Sequence, residues 1–139
     1  MNDSLDVTKH IIEDWLSAMQ TSVESQDLDA HMSLVSKNVR VYGLPHHKEV
    51  DYQNWQQRRK NEFEQNKLQG LVYKLIRIRM SLQRRIGFEV EEHMLSAGGN
   101  VYVIIKDVLL EREADENWRV VEENIRDWRT MDMKASQHG

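Results

Sequence analysis

The stretch DWLSAMQTSVESQDLDAHMSLVSKNVRVYG, residues 14–43, combines two helix signals, a tight connection and a strand. Apolar residues recur at steps of three, four and five, which is typical of one buried stripe on a helix over about residues 5–24. Asp27 is a candidate cap for a shorter second helix with Leu28, Met32 and Val35 on its buried side. Residues 39–42 then predict a short strand that ends at Gly43.

The chain after this stretch changes from helix signals to strand signals. Asp51 is a good cap for a third, unusually polar helix of roughly 17 residues, which must lie on the outside of the domain. Four long strand-like runs follow, at residues 71–80, 85–97, 100–113 and 118–129. The turn Gly98–Gly99–Asn100 separates two of them. The pattern predicts a four-stranded antiparallel meander with the early strand at one edge.

This order of elements predicts one α+β domain over residues 1–139, with a core at about 5–129 and a flexible C-terminal tail. Three N-terminal helices would pack on a strongly curved, mixed but mainly antiparallel sheet. A curved sheet with a helix across its mouth leaves a cone-shaped cavity. Such a cavity is the default place for a small molecule.

Composition excludes several classes of function. The 139 residues carry a net charge of −4 and no cysteine. Disulfides, thiolate metal sites and thiol nucleophiles are therefore excluded, and the acidic balance argues against a nucleic-acid partner. The N-terminal segment lacks the apolar core of a secretory signal, and the longest apolar run, residues 101–105, is too short to cross a bilayer. We therefore expect a cytoplasmic protein with no membrane partner.

The quoted stretch and the segment NWRVVEENIRDW, residues 117–128, resemble the nuclear transport factor 2-like superfamily. The matching elements are Asp27–Leu28–Asp29 at the helix junction, Asn38–Val39–Arg40–Val41 in the first strand and Trp118–Arg119–Val120 in the last. The resemblance implies a cone-shaped, cystatin-like fold over nearly the whole chain. It implies no single function, because the superfamily includes ketosteroid isomerases, polyketide cyclases, dehydratases, epoxide hydrolases, dioxygenase β subunits and non-catalytic binding or assembly domains.

The resemblance permits a test of isomerase chemistry, residue by residue. The position of the general base in the isomerases falls on Gly43, that of the tyrosine donor on Met19 and that of the second, protonated aspartate near Leu110. None of these residues can accept a proton or donate to an oxyanion. We therefore predict that the chain is not a ketosteroid isomerase.

Two adjacent histidines, His46 and His47, follow the chain's only proline. In an extended loop adjacent side chains point in opposite directions, so at most one of the two would face a cavity. They are solvent-exposed loop residues, or one of them acts at the cavity rim. A metal ligand is a third alternative, but a metal site needs three or more converging ligands, and no suitable spacing accompanies the pair. We predict no metal.

Large side chains on the predicted helices allow two interpretations. Trp15, Met19 and Trp55 either pack in the core or line the cavity. Tyr42, at the end of the early strand, is a further candidate for the cavity wall.

The run at residues 100–113 is apolar on both faces, which predicts that both faces are buried. One face would line the cone and the other would meet a second copy of the chain; the resemblance also implies dimers through that outer face. Lys106 and Asp107 are mid-strand on opposite faces, as are Glu122 and Glu123 on the next strand.

Counting from the isomerases places Lys106 and Glu123 in the cavity. They would form an ion pair at its floor or a general acid/base pair with shifted pKa values, or else they are solvated. Glu92 or His93 would join them, depending on the strand register.

These features favour a pocket for a small, largely apolar molecule in a homodimeric protein. The alternatives are an acid/base enzyme of the cyclase, dehydratase or isomerase type, acting without a cofactor, or a non-catalytic assembly subunit. The predicted ligand-binding residues are Trp15, Met19, Tyr42, His46, His47, Trp55, Lys106 and Glu123.

Overall fold

The computed structural model describes residues 3–132. Over these residues the chain forms three helices and five strands: α1 (Asp3–Glu24), α2 (Leu28–Met32), β1 (Val35–Tyr42), α3 (Tyr52–Glu64), β2 (Leu68–Ser81), β3 (Arg85–Ser96), β4 (Asn100–Arg112) and β5 (Trp118–Asp132). The predicted tail, residues 133–139, lies outside the described residues. No helix in the described part of the chain has both the length and the apolar character needed to cross a bilayer.

The helices form where periodicity and capping residues predict them. The buried stripe of α1 begins at Thr8 and Ile12 and continues through Trp15, Leu16, Met19 and Val23, while Val7 is exposed. The side chain of Asp27 accepts a hydrogen bond from the Ala30 amide at the start of α2. Asp51 and Asn54 form a capping box at the start of α3.

Several predicted boundaries differ from the structure, and two of the differences have identifiable reasons. Val35 belongs to β1, because this β-branched residue pairs with Val120 in a parallel ladder instead of continuing α2. The third helix has 13 residues, fewer than predicted. It stops because Asn66 has a positive φ of 55°, a conformation that no helix contains.

The described strands form one five-stranded sheet in the order β1-β5-β4-β3-β2. β1 runs parallel to β5, and all other neighbours are antiparallel. The predicted α+β class, the mixed sheet and the edge position of the early strand are therefore confirmed. Register shifts in the β2–β3 and β4–β5 pairs mark bulges, which bend strands, and the sheet curls around the helices without closing.

The concave face of the sheet carries the core. A cluster that includes Trp15, Met19, Phe88 and Leu110 packs α1 against the sheet. A smaller cluster around Val23, Phe63 and Ile104 packs at the other end of α1. These two clusters do not fill the space between α3 and the strands β3 to β5, and a cavity remains there.

Candidate functional site

A cavity of about 570 Å³ lies between α3, the loop that follows β1, and the concave face of β3 to β5. Its walls are mostly apolar, with Trp55 from α3 and Tyr102, Ile104 and Trp128 from the sheet. The Tyr102 and Trp128 rings pack against each other with their centroids 5.8 Å apart. Leu44 and Val50 close one side, and the β3–β4 hairpin contributes the opposite rim through Ser96, Ala97 and Gly98.

Three charged side chains meet in the cavity wall formed by the sheet. Nζ of Lys106 lies 3.0 Å from Oε2 of Glu92 and 3.1 Å from each carboxylate oxygen of Glu123. The Tyr73 hydroxyl donates to the same Oε2 of Glu92 at 2.6 Å. Lys106, Glu92 and Glu123 are all buried, at 5%, 2% and 3% exposure, although each of them lines the cavity. We call this group of three the charged floor.

The two carboxylates of the charged floor have pKa values shifted in opposite directions. Burial raises the pKa of Glu123, and the negative charge of Glu92 adds to that effect. Burial alone would also raise the pKa of Glu92, but the Lys106 charge, the Tyr73 hydrogen bond and the Arg59 charge outweigh it, so this pKa is lowered. These different environments make Glu123 the easier of the two carboxyl groups to protonate.

The lysine between them remains a cation. Burial alone would lower the pKa of Lys106, but the charges of Glu123 and Glu92 outweigh burial and raise it. Tyr73 stays protonated, because burial and the adjacent Glu92 charge raise its pKa well above the ordinary value. The charged floor therefore presents an ammonium donor and carboxylate oxygens together at one wall of an apolar cavity.

A buried histidine behind α3 organises the opposite wall. Nε2 of His31 accepts hydrogen bonds from Nε1 of Trp55 at 3.0 Å and from Nε of Arg59 at 3.2 Å. Nδ1 of His31 lies 2.9 Å from the Ser22 hydroxyl, which itself donates to the Met19 carbonyl. Since Nε2 accepts twice, the ring is neutral with its proton on Nδ1. Burial, with the Arg59 and Lys106 charges, lowers the pKa of His31 to about 2, which agrees with a neutral ring.

The structure brings three of the eight predicted site residues together in the cavity. Trp55, Lys106 and Glu123 line it, and the ion pair is the arrangement observed for Lys106 and Glu123. Trp15 and Met19 do not line it, because the stripe of α1 on which they lie faces the main core. Trp15 packs edge to face on Phe88 and donates to the Leu34 carbonyl, so core packing is the alternative the structure shows for both residues.

The remaining three predicted residues also lie outside the cavity wall. His46 and His47 are exposed, because a turn with a positive φ of 66° at His46 carries both side chains outward. Leu44 and Val50, on either side of that turn, are buried and face the cavity instead. Tyr42 is half-buried at the end of β1 and does not contribute to the lining, whereas its neighbour Val41 does. Within residues 3–132 no group of three or more metal-ligating side chains converges.

The sequence left Glu92 open and singled out neither Tyr73 nor His31. It offered Arg59 only within the basic run Arg58–Arg59–Lys60, which is either a solvated face or a site for an anionic ligand or partner. The register pairs Glu92 with Ile104 and Tyr73, on the cavity face, and leaves His93 on the other face. Tyr73 alternates with Leu71 and Leu75, a period that signals the concave face. His31 and Arg59 carry no such signal, because each is defined by partners distant in sequence. Gly43 and Leu110, where isomerase groups were expected, do not line the cavity.

Comparison with known proteins identifies the fold of the chain but not its function. No protein-family model matches the chain, and no curated protein has a similar sequence. Solved structures match well. A nuclear transport factor 2-like protein of unknown function from Shewanella oneidensis is 15% identical, with a TM-score of 0.73, 86% of this chain covered and 98% of the other.

Two further solved structures carry functional descriptions. A ketosteroid isomerase-like protein from Erwinia carotovora is 13% identical, with a TM-score of 0.64, 90% of this chain covered and 96% of the other. A hexachlorocyclohexane dehydrochlorinase is 9% identical, with a TM-score of 0.63, 94% of this chain covered and 93% of the other. The chain thus has the nuclear transport factor 2-like fold, and at these identities the likeness extends to fold alone.

Proposed function

We propose that the cavity binds a small, largely apolar molecule and that the charged floor contacts a polar group of that molecule. The volume of about 570 Å³ falls within the range of small-molecule sites. The aromatic side chains Trp55, Tyr102 and Trp128 supply apolar surface on both sides of the cavity. A few polar groups placed in an apolar wall are what fixes the orientation of such a ligand.

One observation carries this proposal: the three ionisable side chains of the charged floor are buried and yet line an open cavity. A buried ion pair is poor evidence of a stabilising role, because well-packed apolar residues of the same size often stabilise a fold as well or better. Perturbed groups beside a cavity are instead characteristic of functional sites. The charged floor therefore supports a role in binding more strongly than a role in folding.

Calorimetric titration of the complete chain with 1-naphthylacetamide, an uncharged aromatic probe, tests the proposal. Ile125 is half-buried and lines the cavity, so the larger side chain of Ile125→Trp would occupy the ligand's space. We expect measurable binding to the wild type and at least a roughly tenfold loss of affinity in this variant, a difference of about 1.4 kcal/mol.

Ile76→Trp provides the matched control, because Ile76 is an exposed residue of the edge strand β2 and does not line the cavity. This variant should bind the probe like the wild type. Equal losses in both variants, or no loss in either, would place the probe elsewhere and contradict the proposal.

A second candidate function is acid/base catalysis without a cofactor, and the opposite pKa shifts of Glu123 and Glu92 favour it. Glu123, the group with the raised pKa, would exchange a proton with a bound molecule, while Glu92 stays ionised and Lys106 stabilises negative charge that develops nearby. The isomerase, dehydratase and cyclase types all need such proton transfers. The separation of the two pKa values is measurable without a substrate, by carbon-13 NMR of the two carboxyl groups.

We further propose a homodimer through the convex face of the sheet. Val103 is buried there, and Ile105 and Leu109 on the same face of β4 are half-buried. Asp107, between them, pairs with Arg79 and Arg126 on the same face. An apolar strip with its charges already paired is suited to contact with a second copy of itself.

A further inference from the structure

Arg59 on α3 is held by two protein contacts that leave part of its guanidinium free. Its Nε donates to the neutral His31 ring, and its Nη1 lies 2.5 Å from Oε1 of Glu62. The Trp55 ring lies beneath the guanidinium, with Cζ 6.0 Å from the ring centroid. Three neighbours therefore fix the plane of a group that is itself only 8% exposed.

The remaining nitrogen of this guanidinium, Nη2, has no hydrogen-bond partner within residues 3–132. In that same part of the chain, every fully buried side-chain nitrogen or oxygen does have a partner. Nη2 is therefore not fully buried. The cavity is the space that Arg59 lines, so we take Nη2 to be accessible from it. An oriented arginine donor in an apolar wall is suited to a carboxylate, which accepts hydrogen bonds in the plane of the guanidinium.

The mouth of the cavity has the same charge preference. Arg58 and Lys67 line it, both are exposed, and no carboxylate among the described residues lies within ion-pair distance of either. These cations stand out in a chain whose net charge is −4. Unpaired charges of one sign at the entrance of a cleft attract ligands of the opposite sign.

Three carboxylates line the cavity, and each contacts a cation: Glu92 and Glu123 share Lys106, and Glu62 pairs with Arg59. With Arg58 and Lys67 the lining has four cations to three carboxylates, so its net charge does not repel an anion. Arg59 lines the cavity from α3, whereas Glu92 and Glu123 line it from β3 and β5 of the sheet. A ligand with its charged group at Arg59 can therefore place an apolar body, and a second polar atom, toward the sheet. The reverse orientation would leave Nη2 of Arg59 without a partner.

We infer that the ligand of this cavity is a small apolar carboxylic acid whose carboxylate binds Arg59. This inference rests on the proposed function, since it concerns the same cavity. His31 is a positioning residue in this account: it does not contact the ligand but holds Nε of Arg59 and Nε1 of Trp55 through one nitrogen.

Three probes with one aromatic body test the inference by calorimetry at neutral pH: 1-naphthylacetate, 1-naphthylacetamide and 1-naphthylethylamine. We expect the anion to bind the wild-type chain about tenfold more tightly than the amide, as a charge-assisted hydrogen bond in a buried wall allows. The amine should bind most weakly.

Arg59→Met should remove the preference for the anion and leave the affinity for the amide within about twofold, because only the charged contact is lost. Lys60→Met removes a charge from the next residue of α3, which is exposed and does not line the cavity, and should keep the preference. Should Arg59→Met prove unfolded, Arg59→Lys serves instead: it keeps the charge but not the planar donor, and should weaken the preference.

The outcomes separate the two proposals. Equal affinity for anion and amide, or tightest binding of the amine, would overturn the carboxylate assignment while the cavity remains a binding site. Binding of none of the three probes would contradict the proposed function and the inference together. An anion preference that survives in Arg59→Met would also overturn the assignment, because it would place the carboxylate at another cation.

Discussion

Glu123 is the residue on which the proposed acid/base chemistry depends most. Its pKa is raised by burial, and that of Glu92, which contacts the same Lys106 ammonium, is lowered. Two carboxyl groups in contact with one cation would otherwise ionise together. The difference between them arises because Glu92 accepts from Tyr73 and lies in the field of Arg59.

Carbon-13 NMR of the side-chain carboxyls tests this difference. We expect the group assigned to Glu123 to titrate at higher pH than the group assigned to Glu92, with assignments made from Glu123→Gln and Glu92→Gln. Because the two groups interact, the curves belong to the pair, and the order of the two steps is the quantity to compare. If both groups titrate together near the ordinary glutamate value, the acid/base candidate loses its support.

Stability against pH depends on the buried histidine. An unfolded histidine binds a proton below about pH 6.5, but His31 in the folded chain stays neutral until pH is about 2. The unfolded state therefore binds the extra proton between these values. His31 contributes stability that is fully present above pH 6.5 and is lost as pH falls, by about 1.4 kcal/mol per pH unit.

Urea unfolding at a series of pH values below 6.5 measures this slope. His31→Gln should be less stable at neutral pH, because Trp55 and Arg59 lose their acceptor geometry, and it should lack the histidine part of the slope. His47→Gln, in the exposed loop, should keep the wild-type slope. Parallel curves for all three proteins would contradict the neutral, buried state of His31.

Residue patterns predicted the charged floor in part. Alternation was enough to place Lys106 and Asp107 on opposite faces of β4, and Glu122 and Glu123 on opposite faces of β5. The family resemblance then placed Lys106 and Glu123 on the cavity side. The register of β3 against β4 decided between Glu92 and His93, and a sequence alone does not fix register. The contacts of His31 and Arg59 were out of reach, because they join residues 9 to 28 positions apart in the chain.

Among the elements, the passage from β1 to α3 differs most from its prediction. The expectation of a histidine at the rim assumed an extended loop, but the turn at His46 and the bridge between Val41 and Val50 fold the loop back on itself. Leu44 and Val50 consequently face inward. Helix periodicity and the glycine turn before β4 were reliable because those signals are local.

Gly43 ends β1 with a positive φ of 91°, and a Cβ atom there would lie 2.4 Å from the Ile125 carbonyl oxygen of β5. Gly43→Ala should therefore destabilise the chain by about 1–3 kcal/mol, because both backbone strain and a clash with a fixed carbonyl arise. Thermal unfolding measures the loss.

Gly98→Ala is the matched control for this substitution. A Cβ atom at Gly98 meets nothing within 4 Å, and its φ is not positive. This variant should unfold within a degree or two of the wild type, since a free Cβ in a turn costs little. Equal destabilisation by the two alanines would show that the close approach of β1 to β5 is not rigid.

On the scale of the whole molecule, the two faces of the sheet have different surroundings. The concave face meets the helices and the cavity, whereas the convex face carries the apolar strip of β4 with Val103 and Ile105. The order of elements and the family resemblance were sufficient to predict the fold, because period, turns and capping residues all agree on it. They did not specify the ligand, because one fold serves many sites.

Sedimentation velocity of the complete chain tests the proposed homodimer. We expect a species of twice the chain mass at micromolar concentration, and a monomer for Ile105→Asp, which places an unpaired charge in the apolar strip. Glu13→Gln, a change at an exposed position of α1 on the other side of the sheet, should leave the dimer intact. A monomeric wild type at all concentrations would contradict this assembly.

The central claim is that the cavity between α3 and the sheet holds a small, largely apolar molecule over the charged floor. A crystal structure of the complete chain grown with 1-naphthylacetamide tests it most directly. The account predicts the naphthyl ring between Trp55 and Trp128, with the amide in hydrogen-bond contact with the charged floor. A cavity filled by its own side chains, or a probe bound only on the outer surface, would contradict it.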